Sequence, residues 1–276
     1  MSVKKILLIL ILAISYQTSL YSKSTSFENL NSKNVSKYFS GIVAFENKNN
    51  SLALDFFNSS KILLNKHNQY LSRYIYTLVL ENKVSQAINV VKNNKDQSNT
   101  NFFDAYLLLI IDSLKKNNFD LANNYLKKTK NFSQLNRFNG AIYESLKQYI
   151  YLFKEKKILV NKKNFGKLSI ISETFHKCYL SDSDTETYFS NLINDVNSDY
   201  SRYVYFYLSY LVENSRLEDA KKIIDDYDYI NTTLLISQGK NWIENGNSDK
   251  LVEVFSCKNH NDIVSEFLFL ISNLYS

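Results

Sequence analysis

The sequence contains no proline among its 276 residues and only five glycines. An average chain carries proline at about 5% of its positions. Both residues interrupt helices, because proline lacks the backbone N–H and glycine loses too much conformational freedom. Their scarcity predicts an all-α fold whose turns are built from Asn, Asp, Ser and Lys.

Residues that commonly carry catalysis are also rare. Histidine is a frequent general base and metal ligand, but it occurs only as His67, His176 and His260. None of the motifs GxSxG, HExxH, GxxxxGKS/T and GxGxxG is present, and so few glycines leave no loop that could cradle a phosphate. We therefore expect a protein that is not an enzyme and that uses no cofactor.

The N-terminus has the organisation of a bacterial export signal. Lys4 and Lys5 precede an uninterrupted apolar run at residues 6–14, and Ser22 offers a small residue for cleavage before Lys23. The run is short for a membrane span, which takes about 20 residues. We predict a signal peptide at residues 1–22 and a periplasmic protein. The alternative is an anchor in the inner membrane formed by residues 6–20.

The charge distribution does not favour a nucleic-acid partner. Residues 1–22 hold two lysines and no acidic residue, so their removal lowers the net charge from +6 to +4. The remaining basic residues are spread along the chain and form no stripe. The expected partner is a protein or peptide, and a membrane only where the signal is retained.

A repeat of roughly 34 residues runs through the chain. Ala53, Ala87 and Ala122 are separated by 34 and 35 residues, and each lies in the second of two adjacent amphipathic helices. A polar turn precedes each alanine, and a larger apolar residue follows four positions later. The larger residues are Phe57, Val91 and Leu126, and the pattern returns at Ala220 with Ile224.

This pattern resembles the tetratricopeptide repeat (TPR), a helix–turn–helix unit with small and aromatic landmarks. Gly41 matches the small residue of the first helix, Ala53 that of the second helix, and Phe57 the aromatic residue after it. The resemblance implies a right-handed α-solenoid, in which small residues allow two helix backbones to approach at their crossing. The later landmarks are Ala87, Ala122, Ala220, Gly239, Trp242 and Gly246.

The resemblance also predicts how the chain is divided. A short linker at residues 23–33 leads into TPR-like repeats 1–3 at residues 34–135. Degenerate helical repeats follow at residues 136–200, and TPR-like repeats resume at residues 201–260. Residues 261–276 are predicted to form a terminal helix, which is either a cap or the first half of a further repeat.

Aromatic residues are abundant, with 21 tyrosines and 18 phenylalanines. The resemblance places Tyr38, Tyr76 and Tyr205 at positions that line the concave surface of such a solenoid. An apolar, tyrosine-bearing groove there suits an extended or helical peptide. The alternative is that these residues contact the next repeat. The other predicted groove residues are Phe45, Val79, Leu107, Ile111 and Ile236.

Both cysteines lie close to histidines, in HKC at 176–178 and CKNH at 257–260. Together they could supply a Cys2His2 zinc set, but distant units of a solenoid do not touch. We therefore expect no metal site and two separate, half-buried thiols. A Cys178–Cys257 disulfide in an oxidising compartment is the alternative.

The expected function is that of an exported TPR-like scaffold that mediates protein–protein interaction in the cell envelope. The competing function is a helical module that binds envelope glycan or peptidoglycan and is associated with an enzyme. In that alternative the tyrosines would serve as platforms for sugar rings.

Overall fold

The computed structural model describes residues 31–64, 67–94, 101–160, 163–194, 201–226 and 233–275. These residues form fourteen α-helices and no β-strand, which confirms the predicted all-α class. The predicted signal peptide, 1–22, lies outside the described residues. None of the described helices combines the length and the apolar character needed to cross a membrane.

The helices are α1 (Ser32–Glu46), α2 (Asn50–Ser59), α3 (Asn68–Leu80), α4 (Val84–Asn94), α5 (Phe103–Lys115), α6 (Phe119–Lys128), α7 (Arg137–Glu155), α8 (Lys167–Tyr179), α9 (Thr185–Ile193), α10 (Ser201–Glu213), α11 (Leu217–Asp226), α12 (Leu234–Glu244), α13 (Asp249–Val254) and α14 (His260–Tyr275). The chain divides into two compact units between Val84 and Ser85. The range predicted to hold degenerate repeats, 136–200, contains one long helix, α7, followed by the hairpin α8–α9.

The first unit is held together by a cluster of aromatic rings. Tyr38, Phe57 and Tyr70 are almost fully buried, and their ring centroids lie 5.5–6.0 Å apart. The Tyr70 hydroxyl donates to the carbonyl of Phe57, and Arg73 donates to the Tyr38 hydroxyl at 2.7 Å. Each buried phenol named here therefore has a hydrogen-bond partner, as burial of a polar group requires.

In the second unit, the last helix runs back across earlier ones. The Phe267 ring of α14 lies 5.5 Å from the Tyr149 ring of α7. His260, at the start of α14, is 3.0 Å from the carbonyl oxygen of Leu114 in α5. Helix α14 also contacts α8, so residues far apart in sequence share one core.

Within the described residues, six helices end in the same left-handed turn. In each, one residue has a positive φ, and the next N–H donates to the carbonyl five residues back, as Asn49 does to Ala44 at 2.9 Å. This is the Schellman geometry, which satisfies carbonyls left open at a helix C-terminus. The left-handed residues are Lys48, Asn82, Asn117, Ser181, Ser215 and Gly246.

The turns mark a regular spacing. The first three turn residues are separated by 34 and 35 residues, and Ser181 and Ser215 are again separated by 34. Five residues after four of the turns lies a fully buried alanine: Ala53, Ala87, Ala122 and Ala220. Nine residues after the same turns lies a larger buried residue: Phe57, Val91, Leu126 and Ile224.

Two glycine landmarks lie where helices meet. A Cβ atom on Gly41 would come within 2.8 Å of the Phe57 ring of α2, so no larger residue fits there without a shift. A Cβ atom on Gly239 in α12 would lie 3.2 Å from the Tyr205 ring of α10. Gly246 forms the last of the six turns, with a φ of 70°.

The two cysteines form a disulfide, so the expectation of two separate thiols is wrong. The Cys178 and Cys257 sulfurs are bonded although the residues are 79 positions apart, and their Cα atoms lie 5.6 Å apart. Because α14 folds back over α7 and α8, the loop that carries Cys257 reaches the end of α8. The same bond removes both sulfurs from any Cys2His2 zinc set, which requires thiolate ligands.

Candidate functional site

Three of the eight residues predicted to line a groove are buried. Tyr38, Tyr205 and Ile236 are only 3%, 0% and 1% exposed, so they are packing residues rather than groove residues. The Tyr205 ring fills the space that Gly239 leaves open between α10 and α12. Burial also raises the pKa of Tyr205. A partner has no access to these three side chains in this structure.

The other five residues are divided between the two units. Phe45, Tyr76 and Val79 belong to the first unit, where Tyr76 is 43% exposed and the other two are half-buried. Leu107 and Ile111 belong to the second unit and pack, half-buried, against its core. The predicted groove residues therefore belong to two units, and two of the four aromatic members, Tyr38 and Tyr205, are core residues.

An apolar groove lies instead along α1 and α2 of the first unit. Phe39 and Val43 of α1 and Leu52 and Phe56 of α2 form its apolar lining. Phe39, Val43 and Leu52 are 58%, 60% and 44% exposed, and Phe56 is half-buried. The cavity volume is about 670 Å³. We refer to it as the α1–α2 groove, and its remaining lining residues are Ser36, Ser40, Ala44, Asn47 and Asn49.

Local chemistry fixes the shape of the α1–α2 groove. The side chain of Asn49 accepts the N–H of Leu52 at 3.2 Å, which caps the N-terminus of α2. Asn47 donates to the Val43 carbonyl at 2.9 Å at the end of α1. Gly41 allows α2 to approach α1 closely through Phe57. The groove therefore lies between two helices whose ends and separation are both fixed.

None of the nine residues that line the α1–α2 groove carries a charge. Binding there would draw on burial of apolar surface, with Ser and Asn side chains at the edge available for hydrogen bonds. The sequence contains a signal for this surface that the repeat pattern obscures. Phe39 and Val43 are four residues apart, as are Leu52 and Phe56, so each pair lies on one helix face.

A second, polar depression lies at the start of α7 and has a volume of about 560 Å³. The Glu144 carboxylate lies 3.5 Å from Lys163 and 3.6 Å from Lys147. Two aromatic residues, Tyr143 and Phe165, are half-buried beside it. We call it the α7 pocket, and its other lining residues are Lys130, Ser133, Gln134, Asn136, Arg137 and Gly140.

The described residues contain no group of three or more His, Cys, Asp or Glu side chains that could hold a metal ion. No protein-family model matches the chain, and neither does any curated protein or solved structure. The likeness to the TPR architecture accordingly rests on the spacing of the turns and of the buried small residues.

Proposed function

We propose that the chain is an exported, non-enzymatic scaffold whose hairpins stack in the manner of TPR units, and that it binds a protein partner in the cell envelope. The observation that carries this proposal is the α1–α2 groove. Three large apolar side chains, each more than two-fifths exposed, lie together there with no charged residue among them. Contiguous apolar surface of this kind is typical of interaction sites, whereas single exposed apolar residues are not.

The disulfide supports the export part of the proposal. Disulfides persist in oxidising compartments such as the bacterial periplasm and are rare in the cytosol. The Cys178–Cys257 bond joins two helical regions that already share a core, so an oxidising compartment would favour this fold. Cleavage of residues 1–22 would release a periplasmic protein, and their retention would leave it attached to the inner membrane through residues 6–20.

A photo-crosslinking experiment in the native cell tests the proposal. A photoreactive amino acid is placed at Val43 in one strain and, as a control, at Val254 in another. Val254 is also an exposed apolar residue, 51% exposed, but lies in α13 of the second unit. We expect a specific adduct from position 43 that position 254 does not give.

The partner identified from that adduct is then purified, and its binding is measured directly. Leu52→Lys should abolish saturable binding, whereas Val254→Lys should leave it unchanged. Both variants should unfold within about 0.5 kcal/mol of the wild type, because surface substitutions away from the core change stability little. Equal binding by the wild type and Leu52→Lys would overturn the proposal.

The α7 pocket favours a second candidate function, binding of an envelope glycan. Aromatic rings beside charged and amide side chains offer both a stacking face and hydrogen bonds for a sugar. Soluble peptidoglycan fragments titrated into the protein would bind saturably under this alternative, and Arg137→Gln would weaken that binding. A scaffold that acts through the α1–α2 groove would show no saturable glycan binding.

A further inference from the structure

The positions that form the α1–α2 groove recur in later hairpins. Counted back from the left-handed turn residue, the fifth and eighth positions of α1 are Val43 and Ser40. The same positions in α10 are Tyr210 and Tyr207. The hairpin α10–α11 therefore shows how the equivalent face packs when another helix covers it.

Helix α9, the second helix of the preceding hairpin, covers that face of α10. The Phe189 ring of α9 stacks on the Tyr207 ring with centroids 5.1 Å apart, and it lies 5.8 Å from the Tyr210 ring. Glu186, three residues earlier on α9, pairs with Arg216. Arg216 stands directly after its turn residue, the position that Asn49 holds in the first hairpin.

The same relation holds at two more helix pairs. In each, the second helix of one hairpin contacts the first helix of the next, and a polar or ionic bond joins them. The pairs are Asn58 of α2 with Tyr74 of α3 at 2.9 Å, and Lys92 of α4 with Asp112 of α5 at 2.6 Å. Tyr74 and Asp112 stand at the eighth and fifth positions before their turn residues. An amphipathic helix thus covers this face in the hairpins that begin with α3, α5 and α10, whereas the equivalent positions of α12, Gln238 and Asn241, are polar and exposed.

In the described part of the chain, the first hairpin presents this face as the open α1–α2 groove. We propose that the groove accepts an amphipathic α-helix of the partner protein, seated as α9 is seated on α10. This inference rests on the proposed function and specifies the chemistry of the partner. The partner's helix would take the place that the second helix of a preceding hairpin takes in the later hairpins.

The residues of the groove also define which helices it accepts. Ser40 stands at the position that Tyr207 holds in α10 and lacks its large ring. The partner helix therefore needs a bulky apolar residue, at the position of Phe189 on α9, to fill the space. Val43 and Asn49 stand where Asp112 and Arg216 form ion pairs in other hairpins, so the groove offers no countercharge. The Glu186 and Arg216 side chains are 37% and 38% exposed, so a charge on the docked helix at that point would be partly desolvated with no countercharge beside it, which is unfavourable. The groove therefore favours a neutral helix over the charged second helices of this chain.

A helix-constrained synthetic peptide with capped ends and the α9 sequence, residues 185–194, in which Glu186 is the single charged side chain, tests the inference. Fluorescence anisotropy with the full-length protein should show saturable binding of the E186Q peptide and about threefold weaker binding of the native Glu186 peptide. A Phe189→Ala version of the neutral peptide should not bind. Val43→Lys in the protein should weaken binding of the neutral peptide at least tenfold.

A charge-reversal variant makes the test sharper. Asn49→Arg restores the cation that α10–α11 has at this position, so it should reverse the preference in favour of the Glu186 peptide. Absence of binding by the neutral peptide, or a preference that Asn49→Arg does not change, overturns the inference. An envelope partner that still crosslinks at Val43 would then preserve the proposed function while excluding helix docking.

Two other occupants give distinct results, and either one overturns the inference. If the peptide binds only a chain that starts at Lys23 and not the full-length chain, the N-terminal segment is the occupant. If sedimentation shows a dimer that Val43→Lys dissociates, a second copy is the occupant. Peptide binding by both chain lengths together with a monomeric protein supports a partner helix.

Discussion

Arg202 and Glu266 are 64 residues apart in sequence, and two guanidinium nitrogens of Arg202 donate to the Glu266 carboxylate at 2.8–3.1 Å. The bond joins α10 to α14 and leaves the Glu266 residue only 3% exposed. The Tyr203 hydroxyl donates to the same carboxylate at 3.2 Å. A buried carboxylate with both partners in place holds α14 in one position against α10, because any other position would leave it unpaired.

Removal of the guanidinium should destabilise the protein more than neutralisation of the carboxylate does. Arg202→Met leaves Glu266 buried without its cation, at an expected cost of about 3 kcal/mol in the free energy of unfolding. Glu266→Gln should cost less, since its amide can still accept a hydrogen bond. Urea denaturation of the two variants measures both values. An Arg202→Met variant as stable as Glu266→Gln would contradict this account.

The stability contributed by Glu266 should depend on pH. Burial raises the pKa of Glu266 above its ordinary value of 4.5, against the opposing effects of Arg202 and Tyr203. The folded state then holds a proton that the unfolded state has lost, so stability falls as pH rises from 4.5 through the folded pKa. The free energy of unfolding of the wild type should therefore fall relative to Glu266→Gln across this range. A difference that rises or stays constant would contradict the assignment.

Reduction of the disulfide should weaken the second unit strongly. In the chain-entropy model, a bond between residues 79 positions apart lowers the entropy of the unfolded chain and so raises the free energy of unfolding by about 4.5 kcal/mol. The Cys178→Ser/Cys257→Ser variant should lose stability of that order. Its unfolding should be insensitive to dithiothreitol, whereas the wild type should approach the variant once reduced. Equal stability of oxidised and reduced wild type would show that the bond contributes little.

Gly41→Ala should destabilise the first unit although alanine is the better helix former. Its methyl group would meet the Phe57 ring at 2.8 Å, and Tyr38 and Tyr70 pack around that ring. Overpacking of about 2 kcal/mol exceeds the gain of about 1 kcal/mol in helix propensity. Thermal unfolding should show a loss for Gly41→Ala that Phe57→Leu partly relieves.

Gly239→Ala is the matched comparison for that substitution. Its nearest neighbours, in the side chains of Tyr205 and Leu251, would lie at 3.2–3.3 Å rather than 2.8 Å. We expect a smaller loss, close to zero. A larger loss at Gly239 than at Gly41 would contradict the steric explanation.

Glycine at the left-handed turns should stabilise the protein. Ser215 has a φ of 61°, which costs a residue with a Cβ atom about 1 kcal/mol. Ser215→Gly should raise the free energy of unfolding by about 0.5 kcal/mol, after the added flexibility of glycine is subtracted. Asn117→Gly should gain less, since asparagine tolerates this conformation. Lys222→Gly, inside α11, should lose about 1 kcal/mol.

The helices can be predicted from the sequence because the spacing of apolar residues is a local property of the chain. The apolar spacing predicts helices at 140–155, 167–180 and 184–195, and the structure has α7, α8 and α9 at Arg137–Glu155, Lys167–Tyr179 and Thr185–Ile193. The 34-residue spacing also locates the four alanines that are fully buried. The six left-handed turns carry a weaker signal, because five of them use Lys, Asn or Ser where glycine is the usual residue.

Long-range contacts could not be predicted from the repeat spacing. A linear stack would keep Cys178 and Cys257 apart, and the return of α14 across α7 and α8 brings them together. The TPR resemblance places Tyr205 on the concave surface, yet Gly239 lies opposite and makes room for its ring in the core. The repeat spacing does not reveal the α1–α2 groove either. The same positions are covered by a neighbouring helix in later hairpins, so the pattern predicts that they are packing positions in the first hairpin too.

The placement of α14 has a consequence for the order of events during synthesis. Cys178 leaves the ribosome long before Cys257, and the apolar rings of Tyr149 and Phe153 emerge earlier still. Until α14 follows, the surface that it will cover stays open to water and to other chains. The growing polypeptide therefore passes through a stage in which its later core is exposed, and the disulfide can close only after Cys257 has been added.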